Sequence, residues 1–388
     1  MSDHELPFEF VLVGGGLANS LLALALLERR PETRLILIER ESQIGGEHTW
    51  CFHERDVPKE LSAVVEDLIE FRWPGYDVRF PGFTRRLDSS YRGFGTKRLA
   101  QCLEQAFSKA PGAELRTGTS ARTVAPHVVE LEGGERLEAG WVIDARGPQP
   151  AEARGRAGYQ IFLGRELELS AGHGLERPVV MDATVEQEGG YRFVYVLPLG
   201  ERRLLIEDTV FADAPELDEE RFGERLDNYV KAAGWAVQQV VRDERGVLPM
   251  EFSGNGPAMV QEGLLQAGYA GGWVHPATGY SFPVAARLAA QLASCEEPEQ
   301  YLDVLRSLAQ QVASQSRFGR LLNRLLFRWF SPTGRVDIFR RFYHLPDDLI
   351  ARFYALRMLR RDQFRILVGR PPRGMSIQAR CSAARRLS

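Results

Sequence analysis

Three consecutive glycines at the end of an apolar run constrain this chain more than any other feature of its 388 residues. Phe10-Val-Leu-Val13 runs into Gly14-Gly-Gly16 and then into Leu17-Ala-Asn-Ser-Leu-Leu-Ala-Leu-Ala-Leu-Leu27, which reads as strand, tight turn and helix. A turn of this kind offers a pyrophosphate the N–H groups and partial positive charge of a helix N-terminus. Gly14 makes the turn and Gly16 lets the backbone approach the phosphates. Ala18 and Asn19 stand where a third glycine is usual and still allow close packing of helix on strand. Arg34-Leu-Ile-Leu-Ile-Glu39 reads as the second strand of a βαβ unit, and it ends 25 residues after Gly14 in an acid placed to accept from ribose hydroxyls, with Arg40 beside it. Gly45-Gly46 follows as a second close backbone approach, with Gly46 grouped with the cofactor residues. An ordinary βαβ turn without nucleotide is the alternative; the conjunction of loop, spaced acid and second glycine pair favours the nucleotide.

The rest of the chain returns to this unit twice. After a polar stretch to about residue 70, Tyr76 to Phe80 and Thr84 to Leu87 read as short strands, and Thr96 as the N-cap of a helix through Lys109. A two-glycine hairpin at Gly133-Gly134 leads into Trp141-Val-Ile-Asp-Ala-Arg-Gly147, a strand carrying Asp144 and ending in Gly147. Between 161 and 210 the pattern becomes a meander of antiparallel strands, Pro178 to Val185, Tyr191 to Pro198 and Arg203 to Val210, with one face available to cover a cavity. A charged amphipathic helix spans Pro215 to Ala233, and Asp243 to Met250 returns toward the first domain. The reading is an α/β protein: a discontinuous Rossmann-type FAD-binding domain (1–75, 95–160 and 245–295), an inserted antiparallel-sheet substrate domain (76–94 and 161–244), a basic helical region (296–372), and a disordered tail (373–388) after Pro371-Pro372.

A second glycine-rich stretch sharpens the cofactor. Gly268 to Ser281 opens a helix with Pro283 at its first position, so the amides from Gly279 and Tyr280 to Phe282 point outward from its start. A flavin ring placed there has its electron-rich edge at the positive end of a helix dipole, which favours FAD over NAD alone. In Arg203-Leu-Leu-Ile-Glu-Asp-Thr209 the acids Glu207 and Asp208 are adjacent on a strand and face opposite sides, so one looks inward. A carboxyl in an apolar cavity keeps its proton to higher pH and can donate it; a salt-bridged surface acid is an equal alternative on spacing alone. His48 and His275 lack metal-ligand spacing, and hydrogen bonding to cofactor or backbone is the favoured reading over catalysis. Trp50, Trp73, Tyr191, Phe193 and Tyr195 suit either a π-rich cavity or plain core.

The charge is uneven. Arg317 to Arg373 holds 14 arginines against 4 acids, a net +10, in a chain of net charge −3, so a basic region sits on an acidic body. In Arg317 to Phe330, Arg320, Arg324 and Arg328 share one helical stripe beside a Leu/Trp/Phe face, the pattern of a helix at a bilayer interface. A buried amphipathic helix is the alternative, and nucleic acid is disfavoured because no binding motif accompanies the charge. Four scattered cysteines without a CxxC pair suit a reducing compartment and no metal site. Without a leader pattern or an 18-residue apolar run, the expectation is a cytoplasmic protein peripheral to the inner face of a membrane.

From about Phe8 to Pro371 the chain resembles the bacterial lycopene β-cyclases of carotenoid biosynthesis. The resemblance rests on Val13-Gly-Gly-Gly-Leu-Ala-Asn19, Gly45-Gly-Glu-His-Thr-Trp50, Val78-Arg-Phe-Pro81, Met181-Asp-Ala-Thr-Val185, Gly190-Tyr-Arg-Phe-Val-Tyr195, Arg203 to Thr209, His275-Pro-Ala-Thr-Gly-Tyr-Ser281, Leu322-Asn-Arg-Leu-Leu-Phe327 and Arg341-Phe-Tyr-His-Leu-Pro346, in that order. Glu47, where the family often has Asn, is one departure. The resemblance implies redox-neutral closure of both ψ ends of lycopene into β rings, on reduced FAD with NAD(P)H as reductant. It also puts the catalytic acid on Glu207. An FAD monooxygenase or prenyl reductase of the same architecture, and a lipid carrier that has lost the cofactor, are the alternatives. The sequence sets no oligomeric state.

Overall fold

The computed structural model describes residues 6–147, 153, 155–188, 190–254, 256–257 and 260–368; Pro371-Pro372 and the tail at 373–388 lie outside the described residues. The glycine triplet joins β1 (Phe8–Val13) to α1 (Leu17–Arg29), and β2 (Leu35–Ile38) follows. In this sheet β1 lies between β2 and β11 (Arg136–Asp144), with β8 (Ala113–Arg116) beyond β2 and β17 (Leu264–Gln266) beyond β11, all parallel. The register pairs Val13 with both Ile38 and Asp144, and Asp144 with Gln266, so the strands end along one edge. The glycine loop, Glu39 and Asp144 therefore come together because of strand direction alone. The hairpin at Gly133-Gly134 is present as β10 (Val128–Leu131) turning into β11, with β9 (Ala121–Ala125) outside it. Helix α1 is buried from Leu17 to Leu27, which explains its all-round apolar sequence: it is held between the sheet and α5 (Phe282–Ala293) in one large core.

Asn19 does more than stand in for a glycine. It is fully buried, and its Nδ2 donates to the carbonyls of Val13 (3.0 Å), Gly14 (3.0 Å) and Ile143 (3.2 Å), bolting α1 to the ends of β1 and β11.

The second sheet has the order β16 (Val237–Glu251), β12 (Ala157–Leu169), β15 (Arg203–Ala212), β14 (Tyr191–Gly200), β13 (Val179–Asp182), β5 (Tyr76–Phe80), β6 (Phe83–Leu87). The three expected strands form a meander, but β5 joins β13 in parallel, so the sheet is mixed rather than antiparallel throughout. Strand β16 pairs with β12 along its whole length, from Val237 to Glu251, and so runs across residue 245, where the boundary between domains was expected. One face packs on α4 (Glu219–Ala232), whose N-cap Asp218 accepts from Arg221 N at 3.1 Å; the other faces an aromatic cluster.

The polar stretch to residue 70, to which the sequence reading assigns no element, contains β3 (Thr49–His53) and α2 (Ser62–Leu68). Strand β3 joins β4 (Phe71–Trp73) and β7 (Tyr91–Gly95) in a small sheet between the two large ones. Alternation within it is too short for a sequence signal. Helix α3 (Thr96–Lys109) is capped by Gly95, and Thr96 instead exchanges hydrogen bonds with the backbone of His48 at 3.1 Å.

Helix α6 (Gln300–Trp329) corrects the expectation of an exposed arginine stripe. Tyr301, Leu305, Leu308 and Val312 pack in the first core and Leu326 and Phe327 in the second, so α6 braces both sheets. Arg320 is buried 3.5 Å from Glu251, and Asn323 donates to the carbonyls of Glu251 (3.0 Å) and Pro276 (2.7 Å). Only Arg324 and Arg328 of the stripe reach solvent. Three short helices follow, α7 (Arg335–Phe342), α8 (Asp347–Tyr354) and α9 (Arg360–Leu367), and no helix among the described residues is long and apolar enough to cross a membrane.

Candidate active site between the two sheets

The loop Gly14–Gly16 is shaped by what its glycines lack. Gly14 has φ +94°, and a Cβ there would lie 3.2 Å from Ala145 O. At Gly15 a Cβ would strike Ile44 at 2.6 Å and stand 3.3 Å from the Glu39 carboxylate, a role the sequence reading did not assign to this glycine. Gly16 is the N-cap of α1, and a Cβ there, or at Gly147, meets no atom within 4 Å. The helix start carries no side-chain cap and no acid in its first turn, with Ala18 buried behind it. Open space at an uncapped helix N-terminus fits an anionic pyrophosphate.

Glu39 is fixed beside this space, its two oxygens accepting from Gly15 N (2.7 Å) and Glu41 N (3.0 Å). Arg40 points into solvent and pairs with Glu41 at 3.1 Å, away from the loop. Asp144, buried at the strand end, is clamped by Arg146 at 2.7 and 2.8 Å, so it orients a guanidinium rather than offering a bare carboxylate.

The second glycine stretch lies against the second sheet. Gly279 has φ +69°, its carbonyl accepts from Tyr269 OH at 2.5 Å, and a Cβ would meet Leu248 of β16 at 3.0 Å. The Tyr280 hydroxyl donates to Asp56 at 2.8 Å and accepts from His53 N at 3.2 Å, leaving its backbone as the part turned to the helix start. His275 is fully buried, its Nδ1 accepting from Ala277 N at 3.1 Å, and burial depresses its pKa to about 3, so it is a neutral strut of the loop. Gly46 has φ +64° with only the His48 ring near a Cβ, at 3.7 Å; burial and then Arg242 hold His48 below the usual imidazole range.

Asp208 and Glu207 part company across β15. Asp208 is fully buried on the α4 face, where Arg192 Nε donates to it at 2.7 Å and Arg225 lies at 3.8 Å. Glu207 faces the aromatic side. The register sets Tyr195, Glu207, Gly164 and Glu244 in one row across β14, β15, β12 and β16. Glu207 accepts from Thr209 Oγ1 at 2.6 Å. Desolvation first, and the neighbouring Glu244 charge second, push its pKa up to about 8 against that hydrogen bond.

Thr49, Cys51, Tyr195 and Glu207 all keep some accessible surface. For Cys51, Tyr195 and Glu207 desolvation is nevertheless the largest influence on ionisation, as expected of side chains packed against the aromatic face of the second sheet. The surroundings are aromatic: Tyr195 OH lies 2.9 Å from Tyr91 OH, Tyr91 packs 5.9 Å from Trp73, and Phe193 and Tyr191 continue the face.

Sequence reasoning missed Glu244, Arg242, Gly164 and Thr49. Arg242 donates to Glu244 (2.9 Å), Glu166 (2.6 Å) and Thr49 (2.6 Å), and so ties β16 to the segment after Gly46. Arg242 and Glu244 are two residues apart, but their other partners, Glu166 and Thr49, lie 76 to 195 residues away, beyond any local pattern; the one available signal is the run of four charged residues from Arg242 to Arg245.

Residues 9–380 match the family described as lycopene cyclase protein. A lycopene beta-cyclase of Pseudescherichia vulneris is 41% identical over 370 residues, covering 94% of each chain. One from Pantoea ananas is 40% identical over 375, covering 94% of this chain and 95% of its own. Among solved structures, a geranylgeranyl bacteriochlorophyll reductase-like protein from Thermoplasma acidophilum superposes with TM-score 0.63 at 13% identity, covering 93% of this chain and 95% of its own. A probable FAD-dependent monooxygenase from Pseudomonas aeruginosa superposes with TM-score 0.59 at 18% identity, covering 83% and 97%. At these identities the structures share the fold.

Proposed function

The chain belongs to the lycopene cyclase family and is an enzyme that cyclises lycopene; from that membership we propose that it closes both ψ ends into β rings, with Glu207 as proton donor and reduced FAD as resident cofactor. The observation that carries the acid assignment is the placement of the Glu207 carboxyl on the aromatic face of the second sheet, without a cation and in one row with Glu244, where desolvation and that second carboxyl push its pKa up. At neutral pH it is loaded. Protonation of the terminal double bond leaves a tertiary cation, the neighbouring alkene attacks it, and loss of a ring proton completes the ring. One proton enters and one leaves, without net redox. The faces of Tyr91, Trp73 and Tyr195 line the path of a cation, whose attraction to an aromatic face is about 0.5–2 kcal/mol.

For the cofactor, the open loop Gly14–Gly16 backed by Ala18 would hold the pyrophosphate and Glu39 the ribose. Gly46 and the Gly279–Tyr280 backbone would hold the flavin end, and Asp144, through Arg146, with Gly147 a neighbouring wall; Arg40 would add only charge at the rim. When bound, a reduced flavin supplies negative charge to a carbocation; NAD(P)H is the reductant.

The membrane-facing surface is better sought at α9 than on the α6 stripe. Phe364 is 66% exposed, Leu359 and Val368 flank it exposed, and Arg360, Arg361 and Arg365 surround it. Lycopene is presented from the cytoplasmic leaflet on this reading.

The test is anaerobic incubation with lycopene in liposomes, with and without NADPH, followed by mass analysis. A two-ring product of unchanged mass that requires the reductant is expected; a product heavier by oxygen or by hydrogen sinks the reading. Purified Gly16→Val should lose its flavin, because a valine fills the open space at the helix start.

A further inference from the structure

The row across the second sheet contains a gap. Glu207 and Glu244 stand on strands separated by β12, and between them the row holds Gly164. Any other residue would project a side chain there: a Cβ at Gly164 would lie 2.8 Å from Glu244 Cγ, 3.4 Å from Glu244 Oε1 and 3.5 Å from Glu207 Cβ. The Glu244 side chain leans over the glycine toward the acid. Glycine inside a 13-residue strand costs stability relative to a residue that packs, so its presence at this one position in the row has a local reason: it brings two carboxyls together.

The two carboxyls are not equivalent. Glu244 accepts from Arg242 Nη1 at 2.9 Å and lies 3.4 Å from Thr49 Oγ1, and Arg242 is braced from behind by Glu166, itself buried and paired with Arg203. Glu207 has the Thr209 hydroxyl and no cation within ion-pair distance among the described residues. Every other titratable group near it is neutral or turned away. Desolvation pushes the Cys51 thiol up to about 12 and holds the Tyr91 and Tyr195 phenols well above their ordinary range, while Asp208 faces α4. Desolvation pushes the Glu244 pKa up as well, but Arg242 pulls it back while nothing cationic does so for Glu207, so of the two coupled carboxyls Glu244 is the one placed to carry the charge.

We propose that Glu244, reaching across the gap at Gly164 and held as an anion by Arg242, is a positioning residue that keeps Glu207 loaded with its proton. This rests on Glu207 being the acid. Two carboxylates this close resist carrying charge together, so the group without a cation retains its proton. After donation, the same repulsion makes the spent Glu207 carboxylate a stronger base for the proton that leaves the ring, and the cycle closes with one proton out and one back.

The experiment is an infrared difference titration of the folded enzyme carrying ¹³C-carboxyl glutamate, with the Glu207 band assigned by its loss in Glu207→Gln. In the wild type the band should titrate near pH 8, where burial and Glu244 place it. Glu244→Gln should lower the midpoint by at least about one unit, tenfold in proton affinity, and Glu244→Asp should restore part of the shift. Gly164→Ala should also lower it by displacing Glu244. In turnover, kcat of Glu244→Gln at pH 7 should fall and recover as the pH is lowered, with KM little changed, whereas a folding defect would not recover. An unchanged midpoint in both Glu244→Gln and Gly164→Ala overturns the proposal. Failure of the acid assignment looks different: Glu207→Gln still cyclises lycopene while the midpoint shift in Glu244→Gln persists.

Discussion

The two faces of the second sheet treat the same chemical group in opposite ways. On the α4 face Asp208 is given two arginines, Arg192 at 2.7 Å and Arg225 at 3.8 Å, within a shell of Leu163, Val194 and Ile206. On the aromatic face Glu207 is given a hydroxyl and a second carboxyl. Desolvation pushes both pKa values up, but Arg192 and Arg225 pull Asp208 back toward the charged form of a structural ion pair, whereas the charge of Glu207 is opposed by Glu244 and its proton is available for transfer. The strand places the two acids one residue apart, so the contrast comes from the neighbouring elements rather than from the motif.

The largest expected effect breaks this contrast on the reactive side. Glu207→Gln keeps the shape and removes the acidic proton, and turnover under anaerobic, reduced conditions should fall by about 10²–10⁴-fold, the range for loss of a general acid. Folding and flavin content should remain, since the cofactor loops issue from the other sheet. On the α4 side, Asp208→Asn should act on stability instead. Breaking a buried ion pair leaves Arg192 uncompensated, at about 3–5 kcal/mol, readable as a lowered denaturation midpoint; the protein that stays folded should still cyclise lycopene. If Asp208→Asn abolishes chemistry at normal stability, the roles of the two faces are reversed.

How far this contrast was legible in the sequence depends on the range of the contacts that make it. The βαβ unit is visible because the apolar run, Gly14, Gly16 and Glu39 are local, and a parallel pair dictates that their ends meet. That two consecutive strand residues face opposite ways is equally local. Which face Glu207 takes is not: it depends on α4 arriving from residues 219–232 and on Tyr91 arriving from β7. Glu244 is a further step removed, since it faces Glu207 only through β12. The arginine stripe failed for a related reason. Helical spacing correctly aligned Arg320, Arg324 and Arg328, but Glu251 and the second core turned Arg320 inward. The small sheet of β3, β4 and β7 was lost because its strands are three to five residues long and held by partners 18 to 46 residues away.

A smaller effect sharpens the contrast through pH. The Glu207 carboxyl holds its proton to about 8 when folded, against an ordinary value of 4.5. Between those values the folded state binds a proton that the unfolded state has released, so unfolding becomes easier as pH rises. The contribution is fully present below about 4.5 and is lost as pH rises through about 8. Glu207→Gln has no such proton to lose. Wild type should therefore lose a few kcal/mol relative to Glu207→Gln between pH 4.5 and 8 in denaturant titrations, and parallel stability curves for the two proteins would show that Glu207 is an ordinary carboxylate.

The smallest expected effect concerns Tyr195, the neighbour of Glu207 in the same row and the other hydroxylic group at hand. Its phenol lies 2.9 Å from Tyr91 OH, and burial, helped by Cys51 and Tyr91, holds its pKa well above the ordinary range. A phenol so reluctant to ionise is a poor donor to an alkene, so its part is to order the aromatic face. Tyr195→Phe removes one hydrogen bond and leaves Tyr91 OH without it, at about 1 kcal/mol. The ring face that meets a cation is unchanged. Melting should fall slightly and turnover stay within a few-fold of wild type, with the pH profile unmoved because Glu244 still opposes Glu207. A loss of turnover as large as that of Glu207→Gln would make the phenol part of the proton path, and the aromatic face would then be reactive through two groups rather than one.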